Sequence, residues 1–266
     1  MSANVLSKEE LDAYNRDGFV VPKFKLTGAD LEKLQRLTPQ LVADNPHISG
    51  GIGSPHLLGA SNLQKVKTQE GWIDIALQPQ ILDMMEQIMG PDVILWASTL
   101  FYKPPLKGPA TAWHRDGAYY PIKPLATTSV WIAVTESVRE NACLRVIPGS
   151  HHEQKLGDHG TGHWSTMDNY EGLRRNEFDE SKAVDVELQP GQMVIFDVYT
   201  IHGSWPNEGS KSRAGYSLRF FPATSHYDHS ASDDEFKVAG GVRGRELILA
   251  RGRDRAGNVF GRVEAA

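Results

Sequence analysis

Residues 188–222 read LQPGQMVIFDVYTIHGSWPNEGSKSRAGYSLRFFP, and this stretch decides the fold class. It holds two β-rich runs, 193–196 and 216–221, with Pro190-Gly191 ahead of the first and Gly, Ser, Asn and Pro between them. No helical period lies between the runs, so they read as strands of antiparallel sheet rather than arms of a crossover unit. Towards the N-terminus the same texture continues back to Pro91. Runs 93–102, 127–135, 143–147 and 184–188 are short and β-rich, with Pro104-Pro105 and Pro148-Gly149 as punctuation. Several short strands without intervening helices argue for an antiparallel sandwich or barrel.

Ahead of Pro91 the pattern is helical. Ser7 followed by Glu10 makes a capping box for a helix carrying Leu11 and Tyr14, which Gly18 would stop. Thr27 and Asp30 repeat the signature before Leu31, Leu34, Leu37 and Leu41, and Pro39 predicts a kink or a fresh start there. Residues 46–62 read as a loop. A third helix is expected from about 79 to 89, with Ile81, Met85 and Ile88 inward as core filler and Gly90-Pro91 as its end. The chain thus reads as one domain: 1–91 mostly helical and packed on the core, 92–222 the β core, and 223–266 a tail. That tail carries Arg243, Arg245, Arg251, Arg253, Arg255 and Arg262. They read as a solvated surface or subunit contact, or else as a lid over an anionic substrate.

Composition narrows the function classes. The 266 residues are 40% hydrophobic and 23% charged, enough to bury a core and too apolar for default disorder. Basic residues number 28 against 33 acidic, a formal charge of −5, which disfavours a nucleic-acid partner. The single cysteine, Cys143, excludes an intrachain disulfide and a cysteine-rich zinc module, and fits a reducing compartment. No apolar signal core opens the sequence, and no run approaches the roughly 18 apolar residues of a membrane span. The expectation is a soluble, cytoplasmic protein acting on a small molecule.

A metal site in such a chain must use histidine and carboxylate. Only two His-x-Asp triplets occur, at His114-Arg115-Asp116 and His226-Tyr227-Asp228. In extended backbone, residues i and i+2 project to one side, so either triplet can present two ligands. If the third ligand comes from a later strand, Asp228 is followed only by the adjacent His229, whereas Asp116 is followed by His202 inside a β-type run. The first triplet is preferred, and His226 and His229 read as surface loop. His151, His152, His159 and His163 lie in a Gly-rich stretch and read as loop histidines rather than a second, zinc-like site. Trp96, Tyr119, Tyr120 and Trp205 either belong to the core or line a pocket for a cationic group. No Gly-x-Ser-x-Gly elbow or catalytic cysteine setting is present.

Three stretches taken together, 101–124 (FYKPPLKGPATAWHRDGAYYPIKP), 141–152 (NACLRVIPGSHH) and 188–222, resemble the phytanoyl-CoA dioxygenase family. The resemblance is strongest over about 93–222 and fades beyond about 230. It implies a mainly β fold with flanking helices around a double-stranded β-helix, or jelly-roll (cupin-like), core. It also implies non-haem Fe(II), with 2-oxoglutarate and O2 as cosubstrates. His114, Asp116 and His202 then match the metal triad, two imidazoles and one carboxylate that leave other positions open. Arg213 matches the arginine paired with the distal carboxylate of 2-oxoglutarate, a role that suits a guanidinium fork. Ser204 matches a hydroxyl donor to the same carboxylate. Thr99, Lys65 and Trp131 match further cosubstrate contacts, and Lys103 would stand at the rim.

Two departures bear on this resemblance. Ala142 replaces a turn glycine, which alanine tolerates unless φ is positive. Asp116 is present where halogenating members lack a carboxylate, so hydroxylation is expected. The implied function is hydroxylation of an unactivated C–H bond in a small polar or anionic molecule, with release of succinate and CO2. The alternative is a metal-binding jelly roll without oxygenase activity, either a zinc hydrolase or a small-molecule sensor.

Overall fold

The inner and outer faces of the core are already written in one strand, Arg213–Pro222. Its odd positions from 213 to 219 are Arg, Gly, Ser and Arg; its even positions from 214 to 220 are Ala, Tyr, Leu and Phe. Successive side chains point to opposite faces of a sheet, so this strand must be polar on one side and apolar on the other. Both sides are buried, which requires a layer over each.

The computed structural model describes residues 5–58, 65–157, 172–173, 175–232, 242 and 244–261. Four helices, α1 (Lys8–Asp17), α2 (Gly28–Asp44), α3 (Trp72–Ala76) and α4 (Pro79–Met89), alternate with the first two strands, β1 (Phe19–Val20) and β2 (Gly51–Gly53). There follow β3 (Val93–Lys103), β4 (Thr111–His114), β5 (Ile122–Lys123), β6 (Thr128–Ala133), β7 (Leu144–Val146) and β8 (Val184–Val186). The last are β9 (Met193–Asp197), β10 (His202–Ser204), β11 (Arg213–Pro222), β12 (His226–Tyr227) and β13 (Ile248–Arg251). The major sheet runs β1-β9-β6-β11-β3-β13, with β2 also on β3; the minor sheet runs β4-β10-β7-β8, and β12 pairs with β5. All pairings are antiparallel. This is the mainly β, jelly-roll architecture expected.

The helices cover the apolar face of the major sheet. Leu34, Leu37 and Leu41 of α2, Trp72 and Ile75 of α3, and Ile81 and Met85 of α4 share one cluster with Leu100, Val130, Ile132, Tyr216, Leu218 and Phe220. Burying side chains of this size contributes about 1.5–3 kcal/mol each. The other face meets the minor sheet: Trp131, Ala133, Val194 and Phe196 pack against Leu144, Val146, Val186 and Leu188.

Local signals act as read at α1, whereas Thr27, the N-cap of α2, makes no side-chain cap hydrogen bond. Ser7 Oγ accepts from Glu10 N at 3.3 Å and Glu10 Oε2 from Ser7 N at 2.7 Å, and Gly18 closes α1 at φ 79°. Pro39 neither ends nor restarts α2, which continues through it as one helix. The expected loop 46–62 contains β2, held on β3 as an edge strand. His226-Tyr227, read as loop, is strand β12.

The described part of the tail is tied to the body, although Arg253 and Arg255 remain exposed. Its β13 extends the major sheet, Arg251 bonds Asp83 and Glu86 of α4 at 2.7 Å each, and Arg255 bonds Asp92 at 2.6 Å. Arg245 is buried and donates to Ser54 Oγ at 3.0 Å. Arg253 is exposed; Arg243 and Arg262 lie outside the described residues. No described helix is long and apolar enough to cross a membrane.

Ala142 sits at φ 66°, ψ 61°, the left-handed conformation in which alanine is strained. The positive φ is the condition under which alanine is not expected to be tolerated in place of glycine. Ala142→Gly is expected to raise unfolding stability by about 1 kcal/mol, measured by urea denaturation. A second expectation concerns His56, which is buried with Nδ1 2.6 Å from Ser98 Oγ. Burial, and secondarily the Arg245 charge, push its pKa down to about 3. The unfolded chain then binds the proton first, so stability falls as pH drops below about 6.5 towards 3. One such group contributes a slope of up to about 1.4 kcal/mol per pH unit, and His56→Gln should flatten the stability-versus-pH curve by a comparable amount between pH 6 and 4.

Candidate metal centre

Strand β10 lies between β4 and β7, and its register sets His202 directly opposite His114. Opposed residues of an antiparallel pair project to one face, and the two imidazole centroids are 4.1 Å apart. Each Nδ1 lies 2.9 Å from a backbone carbonyl, Ala112 O for His114 and Thr200 O for His202. A carbonyl only accepts, so each Nδ1 carries the proton and each Nε2 offers its lone pair to the cavity.

Asp116 arrives differently from the strand pair that the triplet suggested. β4 ends at His114, Arg115 stays extended at φ −113°, ψ 128°, and Asp116 opens a 3-10 turn that runs to Tyr119. The single extended residue keeps His114 and Asp116 on one side and turns Arg115 to the other. There its Nε donates to Tyr199 O at 3.1 Å and its Nη2 bonds Glu153 at 2.9 Å.

Asp116 Oδ1 stands 3.4 Å from His114 Nε2 and 3.7 Å from His202 Nε2. The ligand atoms of the three residues all lie within 4.8 Å of one another, and all three residues are buried. Asp116 Oδ2 is engaged elsewhere: Ser129 Oγ donates to it at 3.1 Å and Arg219 Nε lies 3.8 Å away. Burial opposes ionisation of this carboxyl. The His114 contact and the positive field of Arg219, joined by that of His202 when it is protonated, outweigh it and hold the pKa well below the usual range. Burial, then His114, push His202 down to about 3. A neutral imidazole beside a fixed carboxylate is the state a metal requires.

The cavity over this centre is walled by Phe101, Trp131, Phe196, Arg213, Ser217 and Arg219 of the major sheet, and by Thr111, Leu144 and Ser204 on the side of the minor sheet. Three polar atoms on its wall are buried without a hydrogen-bond partner: Asp116 Oδ1, Arg213 Nε and Ser217 Oγ. An orphaned carboxylate oxygen between two imidazole lone pairs is a donor set suited to a divalent cation. An orphaned guanidinium N–H across the same cavity is a donor suited to an anion. The donor set, two nitrogens and one oxygen, suits Fe(II).

Arg213 Nη1 donates to Ala142 O at 3.0 Å, and its guanidinium carbon lies 5.1 Å from the Trp131 ring centroid. Burial lowers its pKa to about 10, so it stays a cation at neutral pH. Trp131 reaches this position because of Gly215: a Cβ there would come within 1.8 Å of the indole.

Of the residues expected in the site, His114, Asp116, His202, Arg213, Ser204 and Trp131 converge on one cavity. Thr99 is not on its wall; its hydroxyl accepts from Arg219 Nη1 at 3.1 Å. Lys65 is exposed and does not line the cavity. Lys103 is buried rather than at the rim. Trp96 and Tyr120 are core, packed edge-on at 4.5 Å, with Tyr119 in the same cluster, and Trp205 is half-exposed over Arg145. His151 and His152 bond the carbonyls of Asn15 and Arg16 at the end of α1; His159 and His163 lie outside the described residues. The sequence reading missed Ser129, Ser217 and Arg219. The signal was present, since Arg213, Ser217 and Arg219 share one parity of a strand, as do Ser129 and Trp131.

Comparison with known proteins agrees with this site. Residues 4–215 match the family model for phytanoyl-CoA dioxygenase (PhyH). The chain belongs to the phytanoyl-CoA dioxygenase family. The peroxisomal phytanoyl-CoA dioxygenase of Bos taurus is 28% identical over 242 residues, covering 84% of this chain and 71% of that protein. Among solved structures, the non-heme monooxygenase ThoJ (apo form) is similar at TM-score 0.71 and 23% identity, over 95% of this chain and 87% of its own. The epimerase SnoN, solved with Fe3+, α-ketoglutarate and nogalamycin RO, is similar at TM-score 0.64 and 20% identity, over 83% of this chain and 85% of its own. As a member of the phytanoyl-CoA dioxygenase family with a His–Asp–His centre, the chain is an oxidoreductase that uses Fe(II), 2-oxoglutarate and O2.

Asp116→Ala is expected to remove tight Fe(II) binding, with Co(II) absorption as a second readout, while circular dichroism stays unchanged. Undiminished binding would exclude Asp116 as a ligand.

Proposed function

We propose that this chain hydroxylates an unactivated C–H bond of a small polar or anionic molecule, with conversion of 2-oxoglutarate to succinate and CO2. The observation that carries this reading is the shared cavity: a three-donor metal centre at one side and a buried guanidinium with an unused N–H at the other.

His114 Nε2, His202 Nε2 and Asp116 Oδ1 would hold Fe(II), which when bound supplies the activation of O2 that drives 2-oxoglutarate decarboxylation and C–H oxidation. Ser129 and Arg219 occupy Asp116 Oδ2, which favours a single oxygen on the metal and keeps other positions for cosubstrate. Arg213 receives the distal carboxylate, with the Ser204 hydroxyl beside it and the Trp131 face beneath the guanidinium. A lysine would not reproduce that fork. Phe101, Leu144 and Phe196 keep bulk water from the reacting atoms. Arg219 and Ser217 leave polar and positive character on the wall, which supports a polar or anionic substrate rather than a bare hydrocarbon. A zinc hydrolase would have no use for a buried carboxylate clamp.

Anaerobic addition of Fe(II) and 2-oxoglutarate is expected to give a visible charge-transfer band. Arg213→Leu should weaken 2-oxoglutarate binding by about 2–3 kcal/mol, some 30- to 150-fold. Substrate-dependent succinate release, screened over small polar and anionic compounds, should vanish in His114→Ala. No band in the parent protein, or unchanged turnover in that variant, would reject the proposal.

A further inference from the structure

Lys103, at the end of β3, is 1% exposed. It is the direct cross-strand partner of Arg213 on β11, so the two side chains share a face of the major sheet. Its ammonium donates to Trp205 O at 2.5 Å, and Trp205 follows Ser204 in the chain leaving β10. Arg213 meets Ala142 O and keeps its Nε unpartnered. Two neighbouring basic groups are therefore buried on main-chain carbonyls, and among the described residues neither forms an ion pair with a carboxylate. A second positive charge beside the buried Arg213 is costly until an anion joins it.

The groups facing Lys103 come from four segments. β11 presents the Arg213 guanidinium, and residue 143, next to β7, presents the Cys143 thiol. The segment after β10 presents the Trp205 carbonyl and Asn207, whose Nδ2 donates to the Lys103 carbonyl at 3.3 Å. The loop after β3 presents uncharged Gly108. Lys211, on the same side of the chain, is exposed and turned to Glu136 at 3.4 Å. Burial first, and repulsion from Arg213 second, bring the Lys103 pKa down to about 6, so at neutral pH the amine is mostly unprotonated.

We propose that Lys103, which does not itself line the cavity, is a positioning residue of the cosubstrate site: beside Arg213 it supports that guanidinium as the seat for the distal carboxylate of 2-oxoglutarate, and it takes up a proton when that carboxylate arrives. This rests on the oxygenase reading given above. The balance is simple. The neutral amine gains one proton from solvent and no bond to the cosubstrate forms or breaks. The ammonium remains on Trp205 O, which also fixes the strand end that carries Ser204. Cosubstrate affinity then falls as pH rises above about 6, until the pH exceeds the pKa of the bound state. Protonation of the metal-binding imidazoles would act with the opposite sign.

The test is anaerobic calorimetry of the Fe(II)-loaded protein with 2-oxoglutarate, in two buffers of different ionisation enthalpy and from pH 6.5 to 8.5. The parent should take up close to ~1 proton per 2-oxoglutarate and lose up to about tenfold in affinity per pH unit. Lys103→Gln keeps a donor for Trp205 O but no titrating charge. It should show no uptake, a flat pH profile, and binding about tenfold weaker at pH 6.5. Lys103→Met, checked for native circular dichroism, should behave likewise. Binding without proton uptake in the parent, or uptake that persists in both variants, overturns the role of Lys103 and leaves the oxygenase reading intact. No binding of 2-oxoglutarate to the Fe(II)-loaded parent at any pH removes both.

Discussion

Everything in this molecule is arranged around one carboxylate buried between two sheets. Asp116 has no solvent to ionise into, and an isolated carboxylate in such a place would protonate. It remains charged because Ser129 of β6 donates to its Oδ2 and Arg219 of β11 brings a positive charge within 3.8 Å, while β4 and β10 hold His114 and His202 beside its Oδ1. Each of those contacts fixes a strand. The pairing of β10 with β4 is only a few residues long, yet it sets the His202–His114 register. A slip of one residue would turn one imidazole to the opposite face. The site and the register of the minor sheet are therefore one constraint, met once.

The second layer of the argument is the parity of β11. A strand with Arg, Gly, Ser and Arg on one side cannot face a hydrophobic core on that side, and one with Ala, Tyr, Leu and Phe on the other cannot face water. Helices α2, α3 and α4 resolve the second problem by covering the apolar face. The first is resolved by turning the polar face towards a cavity that expects ligands. Gly215 shows how tightly the two are coupled. Only the absence of a Cβ lets Trp131 lie across β11 between the cationic end and the metal end of the cavity. The aromatic plane that supports Arg213 is thus a consequence of backbone access, not of a loop that closes later.

How much of this was legible beforehand follows from the range of each signal. Capping boxes and helix stops are local, and those at Ser7, Glu10, Gly18 and Gly90 act as read. Long strands such as β3 and β11 announce themselves by composition. The strands that hold the ligands are weaker signals: β4 and β10 are short, and the β-type run that holds His202 is broken between β9, which ends at Asp197, and β10. Their pairing is decided by partners far along the chain, so the residues could suggest the ligands but not the register that joins them. The helix α2 runs on through Pro39 without a restart because a helix packed along a sheet tolerates the loss of one hydrogen bond. The attachment of the tail was not legible because Arg251 and Arg255 answer Asp83, Glu86 and Asp92, acids that lie about 160 residues earlier in sequence and carry no mark of it.

Burial also explains why the cavity end beyond the metal is basic and incompletely paired. A protein selected only for stability would answer Arg213 and Lys103 with acids, or replace both with apolar side chains of similar size, at little cost or some gain. Here the nearest partners are carbonyls of Ala142 and Trp205, which accept hydrogen bonds without cancelling charge. One of those carbonyls belongs to a residue in strained left-handed backbone. Strain, unpaired charge and an orphaned N–H thus fall at one end of one cavity, and the orphaned carboxylate oxygen falls at the other. Each is unfavourable in the free chain, and the unpaired charge and the two orphaned atoms are relieved by a ligand of opposite sign. The combination therefore selects for a molecule that is anionic at one end and binds a metal at the other, which is the chemistry of a 2-keto diacid.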